Sequence, residues 1–243
     1  MISSREIKEI RSLSTKKGRE ETGLFAVEGE KMVSEALASD FEVVAVYRTE
    51  DIGIETMKRI SSLSSPSPVL AVVKCRESAT PLPSSGLHVF LDSIRDPGNL
   101  GTILRIADWF GAASVVASPD TVDFFNPKTV QSTMGAIFRV PFRYADIPSE
   151  ADAFRHLGGI VYGTFLDGEN IYSADLLSGE DVPVAIVIGN ESRGISPEVG
   201  GKVASRLLIP PFPGEGVTSE SLNAAVATAI TLSEFRRRIW AKR

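Results

Sequence analysis

Short, β-branched apolar runs separated by stretches of helical periodicity recur along the whole chain. Ser4 to Leu13 carries a helical pattern and is followed by a Lys-Gly turn, a strand at Leu24 to Val27 and a helix from Glu30 to Ala38. Phe41 to Tyr47 reads as a strand, Asp51 to Ser61 as a helix and Val69 to Val73 as another strand, which completes a small α/β unit. Glu77 to Gly86, with Pro81, Pro83 and paired serines, has no periodicity and is the expected linker. The Ser/Pro patch Ser61 to Pro68 is expected as a plain surface loop.

Beyond the linker, Leu87 to Leu91 is an apolar strand, and a Gly/Pro/Asn loop leads from it into a helix at Thr102 to Phe110. Further short β-rich runs follow at Ser114 to Ala117, Gly159 to Thr164, Val184 to Ile188 and Arg206 to Ile209, and a long helix closes the chain from Ser221 to Trp240. Nearly continuous apolar strands between helices predict a mostly parallel sheet covered on both faces. The expected division is a small domain over 1–77, a linker over 78–86 and a larger domain over 87–243.

Composition narrows this only slightly. The chain has 243 residues, 43% of them hydrophobic and 23% charged, as in an ordinary globular protein with a real core. Cys75 is the only cysteine, so no internal disulfide forms, and a reducing, cytoplasmic compartment is expected. No run approaches the roughly 18 apolar residues of a membrane span. With two histidines and one cysteine, no metal site is expected.

A net charge of −5 does not suggest nucleic-acid binding, but the basic residues are unevenly distributed. Arg5, Lys8, Arg11, Lys16, Lys17 and Arg19 lie near the N-terminus, and Arg236, Arg237, Arg238, Lys242 and Arg243 close the chain. On charge alone these read as two solvated helix faces.

Three loops carry polar residues at strand ends. Asp92 to Arg105 follows a strand and opens a helix; Asn99 stands where an N-cap or loop polar group would, and Arg105 lies along the helix. Gly189-Asn190-Glu191-Ser192-Arg193-Gly194 follows Val184 to Ile188; its glycines permit close backbone approach, but it lacks the spacing of a dinucleotide fingerprint or a P-loop. In Leu208 to Ala227 a Pro/Gly-rich loop precedes a small-residue helix opened by Ser221, the expected N-cap, and Asn223. Taken singly, each is a capped turn. At successive strand ends of one sheet they would converge on one crevice.

Their order resembles the three motifs of the SpoU family of RNA ribose methyltransferases, in the SPOUT superfamily. The matching residues are Asn99-Leu100-Gly101 with Arg105, then Gly189-Asn190-Glu191 with Gly194, then Ile209-Pro210 with Ser221-Leu222-Asn223. The N-terminal part, around Phe25-Ala26-Val27-Glu28-Gly29, is similar to the family's small ribosomal-protein-like substrate-binding domain. One departure lies in the third motif, where Pro211-Phe212-Pro213-Gly214-Glu215-Gly216 replaces a shorter loop.

The resemblance implies an α/β catalytic domain with a trefoil knot, an exception to the rule that chains avoid knots. It implies transfer of a methyl group from S-adenosylmethionine to a ribose 2′-hydroxyl of structured RNA, ribosomal or transfer, by a homodimer. Cofactor contacts fall on Gly189, Ile209 and Leu222, with Thr164 and Leu166 as neighbours. Arg105 stands nearest the reacting hydroxyl, framed by Asn99, Glu191, Ser221 and Asn223. A guanidinium that ionises only above pH ~12 is better suited to anchoring a phosphate or stabilising a developing alkoxide than to accepting a proton. Arg11, Lys16, Lys17 and Arg19 are the candidate RNA contacts. Two alternatives are a catalytically silent RNA-binding or ribosome-assembly module and a generic α/β enzyme acting on a metabolite.

Overall fold

The computed structural model describes residues 2–77, 85–176, 182–212 and 220–240. The chain separates into two compact units: residues 1–76 with 123–139, and residues 77–122 with 140–243.

In the first unit the order is α1 (Ser4–Ser12), α2 (Lys16–Thr22), β1 (Leu24–Glu28), α3 (Glu30–Leu37), β2 (Val43–Arg48), α4 (Thr49–Ile52), α5 (Ile54–Ile60) and β3 (Val69–Lys74). The strands form an antiparallel sheet in the order β1-β3-β2. Ser3 and Glu6 cap α1 reciprocally, and Ile7 and Ile10 turn inward onto Met57, Ile60 and Leu70. The expected Lys-Gly turn is instead helix α2. Gly18 lies inside that helix because any Cβ there would sit 2.1 Å from the Ser12 carbonyl oxygen, so α2 packs directly on the end of α1. The helix expected over Asp51 to Ser61 is divided at Gly53 into α4 and α5.

The Ser61 to Pro68 patch is more than a surface loop. Ser61 Oγ, Ser62 N–H and Ser62 Oγ all donate to the buried carboxylate of Glu28, which would otherwise be a costly unpaired charge. The first unit also includes residues 123–139, with α7 (Pro127–Thr133). Phe125 and Phe138 stack near Phe25 at ring separations of 4.7 and 6.4 Å.

The second unit carries β4 (Leu87–Leu91), α6 (Pro97–Trp109), β5 (Ser114–Ala117), β6 (Phe142–Tyr144), α8 (Ile147–His156), β7 (Ile160–Asn170), β8 (Val184–Ile188), α9 (Pro197–Gly200), β9 (Ser205–Leu208) and α10 (Ala224–Trp240). Its six strands are all parallel, in the order β6-β5-β4-β8-β7-β9. From β4 the chain builds outward through β5 and β6 on one side, while β8, β7 and β9 lie on the other. The β4/β8 junction is therefore the topological switch point where α/β sheets bind ligands. Phe90, Val116, Phe154, Ala185 and Val187 form the core on one face of the sheet.

Helix α6 begins at Pro97, five residues earlier than expected, because Asp96 is its N-cap and accepts the Asn99 N–H, with Pro97 preorganised at the first position. Asn99 is thus in the first turn and is not the cap. Ser221 does not cap α10 either: the Asn223 side-chain oxygen accepts the N–H groups of Ala225 and Val226 at 2.9 and 3.3 Å.

The C-terminal basic run is not simply a solvated face. Arg236 donates to the carbonyls of Phe110 and Gly111 at the end of α6, and Arg238 donates to those of Ile171 and Ala174 and to Glu234. Lys242 and Arg243 lie outside the described residues. Among the described residues no helix is long and apolar enough to cross a membrane, and no group of three or more His, Cys, Asp or Glu side chains could hold a metal ion.

Candidate active site

The carboxyl ends of β4 and β8 lead into two loops that brace one another. Asp92, buried at the end of β4, accepts the Ser196 N–H at 2.7 Å. Asn190 donates from Nδ2 to the Ser93 carbonyl at 2.7 Å, while its Oδ1 accepts the N–H groups of Ser192 and Arg193 and closes the turn. Asn190 and Gly194 exchange backbone hydrogen bonds of 2.9 Å, so the loop folds back on itself. Gly189 is demanded by that return: a Cβ there would meet the Gly194 carbonyl carbon at 2.2 Å and the Ile195 nitrogen at 2.3 Å.

From this turn Glu191 reaches across to the start of α6. Its Oε1 accepts Asn99 Nδ2 at 2.9 Å and the Asp96 N–H at 3.3 Å, and its Oε2 accepts the Arg95 N–H at 3.3 Å. A carboxylate is suited to this position, where the orphan N–H groups and positive dipole end of a helix begin. Asn223, at the start of α10, donates from Nδ2 to Asn99 Oδ1 at 2.8 Å. Three loops widely separated in sequence thus deliver Glu191, Asn99 and Asn223 to one hydrogen-bonded cluster.

The other expected site residues are distributed around it. Arg105 is exposed on α6, six residues or about 9 Å along the axis from Asn99. Its guanidinium makes no hydrogen bond or ion pair among the described residues. It shares an exposed stripe with Thr102 and with Trp109, which is 84% exposed. Ser221 is exposed and makes no side-chain hydrogen bond among the described residues, so the cluster is not closed through it.

Gly189 follows β8 and Ile209 follows β9, on either side of β7 in the sheet. Between them β7 bulges: Thr164 and Glu169 both pair with Leu207, so residues 165–168 loop out and Leu166 stands 70% exposed. Thr164 Oγ1 donates to the Val187 carbonyl at 3.3 Å. Among the described residues, the backbone groups of Gly189, Ile209 and Leu222 have no hydrogen-bond partner within the chain. Pro213 to Gly216 of the atypical loop lie outside the described residues.

Of the candidate RNA contacts, Arg11, Lys16 and Lys17 are exposed, Lys16 and Lys17 pairing loosely at 3.7 Å with Glu20 and Glu21. Arg19 does not belong with them. It is 4% exposed; its guanidinium donates to Asp123 at 2.6 and 2.9 Å and to the Leu13 carbonyl at 2.7 Å, so it cannot reach a phosphate without unpairing Asp123.

Sequence reasoning named Asn190 within the second motif and the loop that holds Asp92 and Ser93 but gave none of the three a role, and it did not single out Asp120; together they build the frame around Glu191. One signal was legible: Ser118-Pro119-Asp120 follows β5, next to β4, where strand-end polar residues of a parallel sheet converge.

A parallel sheet with polar loops meeting at its switch point defines an α/β protein that binds its ligand at the strand ends. The chain belongs to the SpoU rRNA methylase family, whose sequence pattern matches residues 86–233. Residues 4–74 match the MRM3-like substrate binding domain. A relative in Bacillus subtilis, named 23S rRNA (guanosine(2553)-2′-O)-methyltransferase RlmP, is 31% identical over 96% of this chain and 96% of its own. A TrmH-family protein from Porphyromonas gingivalis has a solved structure 39% identical to this chain, with a TM-score of 0.86 over 98% of this chain and 99% of that one. An AdoMet-bound rRNA methyltransferase from Sinorhizobium meliloti is 30% identical, with a TM-score of 0.84 over 98% of this chain and 97% of that one.

Proposed function

We infer that this chain is an S-adenosylmethionine-dependent ribose 2′-O-methyltransferase acting on ribosomal RNA. The observation that carries the reading is the convergence of Asn99, Glu191 and Asn223 at the switch point of a SpoU-family sheet.

The cofactor supplies an electrophilic methyl group on a sulfonium. Gly189, Ile209 and Leu222 hold it through main-chain groups, with Thr164 beside them and Leu166 contributing apolar surface. Asn99, Glu191, Asn223 and Ser221 frame the ribose. Their rigidity aligns the 2′-hydroxyl for in-line attack and keeps water away from it. Arg105 remains protonated throughout, anchors a substrate phosphate and stabilises negative charge on the 2′-oxygen as the hydroxyl proton is released to solvent, while the sulfonium leaves as the neutral thioether.

The first unit serves as the RNA-binding domain, with Arg11, Lys16 and Lys17 toward the phosphates. A homodimer of the second unit is part of the reading. Trp109 on α6 and Trp240 on α10, 84% and 68% exposed, are large apolar surfaces of the kind subunit contacts bury. The knot of the C-terminal segment that the family resemblance implies is part of the reading. The cytoplasm, where ribosomal RNA is found and thiols stay reduced, is the proposed compartment.

Calorimetric titration with S-adenosylmethionine tests the cofactor site: saturable binding is expected, lost in Gly189→Val and weakened in Leu222→Ala. Transfer of a tritiated methyl group to in vitro transcribed 23S rRNA, blocked by prior 2′-O-methylation, tests the reaction. RNA binding without any methyl transfer, unchanged by Glu191→Ala, would favour the catalytically silent module instead.

A further inference from the structure

Beside the Glu191 cluster lies a second polar network, exposed at Asp120 and Arg95, that the reaction as described does not use. Ser93, the first loop residue after buried Asp92, is one of the two described non-glycine residues with a positive φ, at 60°. That conformation costs a serine free energy and persists only where its surroundings fix it.

Asp120, beyond the end of β5, provides the fixing contacts. One of its oxygens accepts Ser93 Oγ at 2.6 Å and the Arg95 guanidinium at 2.7 Å; the other accepts Ser118 Oγ at 2.6 Å. Ser118 Oγ in turn accepts the Ser93 N–H at 2.8 Å. Partial burial works against the Asp120 charge, yet these hydrogen bonds hold its carboxyl below the usual range.

The strained turn has three outputs. The Ser93 carbonyl accepts Asn190 Nδ2, and the N–H groups of Arg95 and Asp96 point at the Glu191 carboxylate. If the turn relaxes, the groups holding Asn190 and Glu191 move with it.

We propose that Asp120 is a positioning residue for methyl transfer, locking the left-handed turn at Ser93 so that the Arg95 and Asp96 amides hold Glu191, and through it Asn99, in register. The inference rests on the reading of Glu191 and Asn99 as the substrate frame. In this proposal Asp120 acts through Ser93 and Arg95 rather than by touching substrate or cofactor.

The test compares Asp120→Ala, Ser93→Ala, their double variant and Asp120→Asn in the full-length protein. Hydrogen exchange followed by mass spectrometry is expected to show faster exchange in peptides spanning 93–96 and 190–194 for Asp120→Ala. Unchanged exchange there overturns the brace whatever the activity. With in vitro transcribed 23S rRNA and S-adenosylmethionine, Asp120→Ala and Ser93→Ala are each expected to lower kcat at least tenfold. KM for the cofactor should stay within about twofold and thermal unfolding within a few degrees. The double variant should be no slower than the slower single variant, since both remove one link. Asp120→Asn, which keeps an acceptor oxygen, should recover part of the rate. Glu191→Ala is the control: if it alone abolishes transfer while Asp120→Ala remains fully active, the brace is wrong. If Glu191→Ala is itself fully active, the reading of the site is wrong.

Discussion

The side-chain amide of Asn223 donates to Asn99 at 2.8 Å, although 124 positions of sequence separate them. This bond fixes the direction of a whole relay. Helix N–H groups donate to Asn223 Oδ1, Asn223 Nδ2 donates to Asn99 Oδ1, and Asn99 Nδ2 donates to Glu191. Each amide has one orientation that satisfies both neighbours, so the polar frame enters the reaction already ordered.

Breaking the relay should therefore cost rate more than cofactor affinity. Asn99→Asp would set a second carboxylate against Glu191, where the amide now donates at 2.9 Å. A fall of about a hundredfold in methyl transfer is expected, the order seen on removing one preorganised donor. Cofactor affinity measured by calorimetry should change less than threefold. Equal losses in both would show that Asn99 belongs to the cofactor site.

Gly189→Ala should act on the cofactor. The added Cβ would overlap the backbone of Gly194 and Ile195, so the loop can accommodate it only by opening. Loss of S-adenosylmethionine binding is expected, at least tenfold by calorimetry, with the protein still folded by circular dichroism. Undiminished binding would remove the loop from the cofactor site.

Arg19 and its basic neighbours should separate cleanly. Arg19→Met leaves Asp123 without its buried partner and should destabilise by about 3 kcal/mol, as breaking a buried pair does. The combined change Arg11→Ala, Lys16→Ala and Lys17→Ala should leave thermal stability nearly unchanged, because these groups are exposed. It should weaken RNA binding and flatten its dependence on salt, read from filter binding at several ionic strengths. Wild-type salt dependence in this triple variant would place the RNA elsewhere.

Acid should weaken the fold through His88. The ring is fully buried, receives Ser114 Oγ on Nδ1 at 2.8 Å and donates from Nε2 to the Ser85 carbonyl at 3.2 Å. Burial pushes its pKa down to about 4, from 6.5 in an unexceptional histidine, against the opposing pull of the Ser85 carbonyl. The unfolded chain therefore takes up this proton first as pH falls. The stabilisation is fully present above pH ~6.5 and is lost progressively between about 6.5 and 4, up to about 3 kcal/mol. Urea unfolding across this range should show the loss, and His88→Asn should lack that limb. Glu234 is held below the usual carboxylate range by Arg237 despite its burial, with help from Arg238, so its stabilisation persists through this range and is lost only as pH falls below the ordinary carboxylate range.

Much of the fold was legible because buried parallel strands leave a plain signature. Leu87–Leu91, Ser114–Ala117 and Val184–Ile188 are short runs, apolar but for His88 and Ser114, and each is buried along its whole length. The edge strand Phe142–Tyr144 left no such trace, since three residues with two polar or half-exposed side chains carry no period. Residues 123–139 were not recognisable as part of the first unit, because the packing of Phe125 and Phe138 on Phe25 is a contact across about a hundred residues.

The sequence by itself determined the alternation of strands and helices, the three polar loops at strand ends, and the residue types that can frame a ribose. These follow from local periodicity and from turn chemistry, which neighbouring residues specify. Only the tertiary structure decided that Asn99, Glu191 and Asn223 share hydrogen bonds, that Asn223 rather than Ser221 caps α10, and that Arg19 is an interior ion pair. A polar side chain has the same local signature whether it faces solvent or a partner a hundred residues away. Burial and directional hydrogen bonding, which exist only once the chain is packed, separate the two.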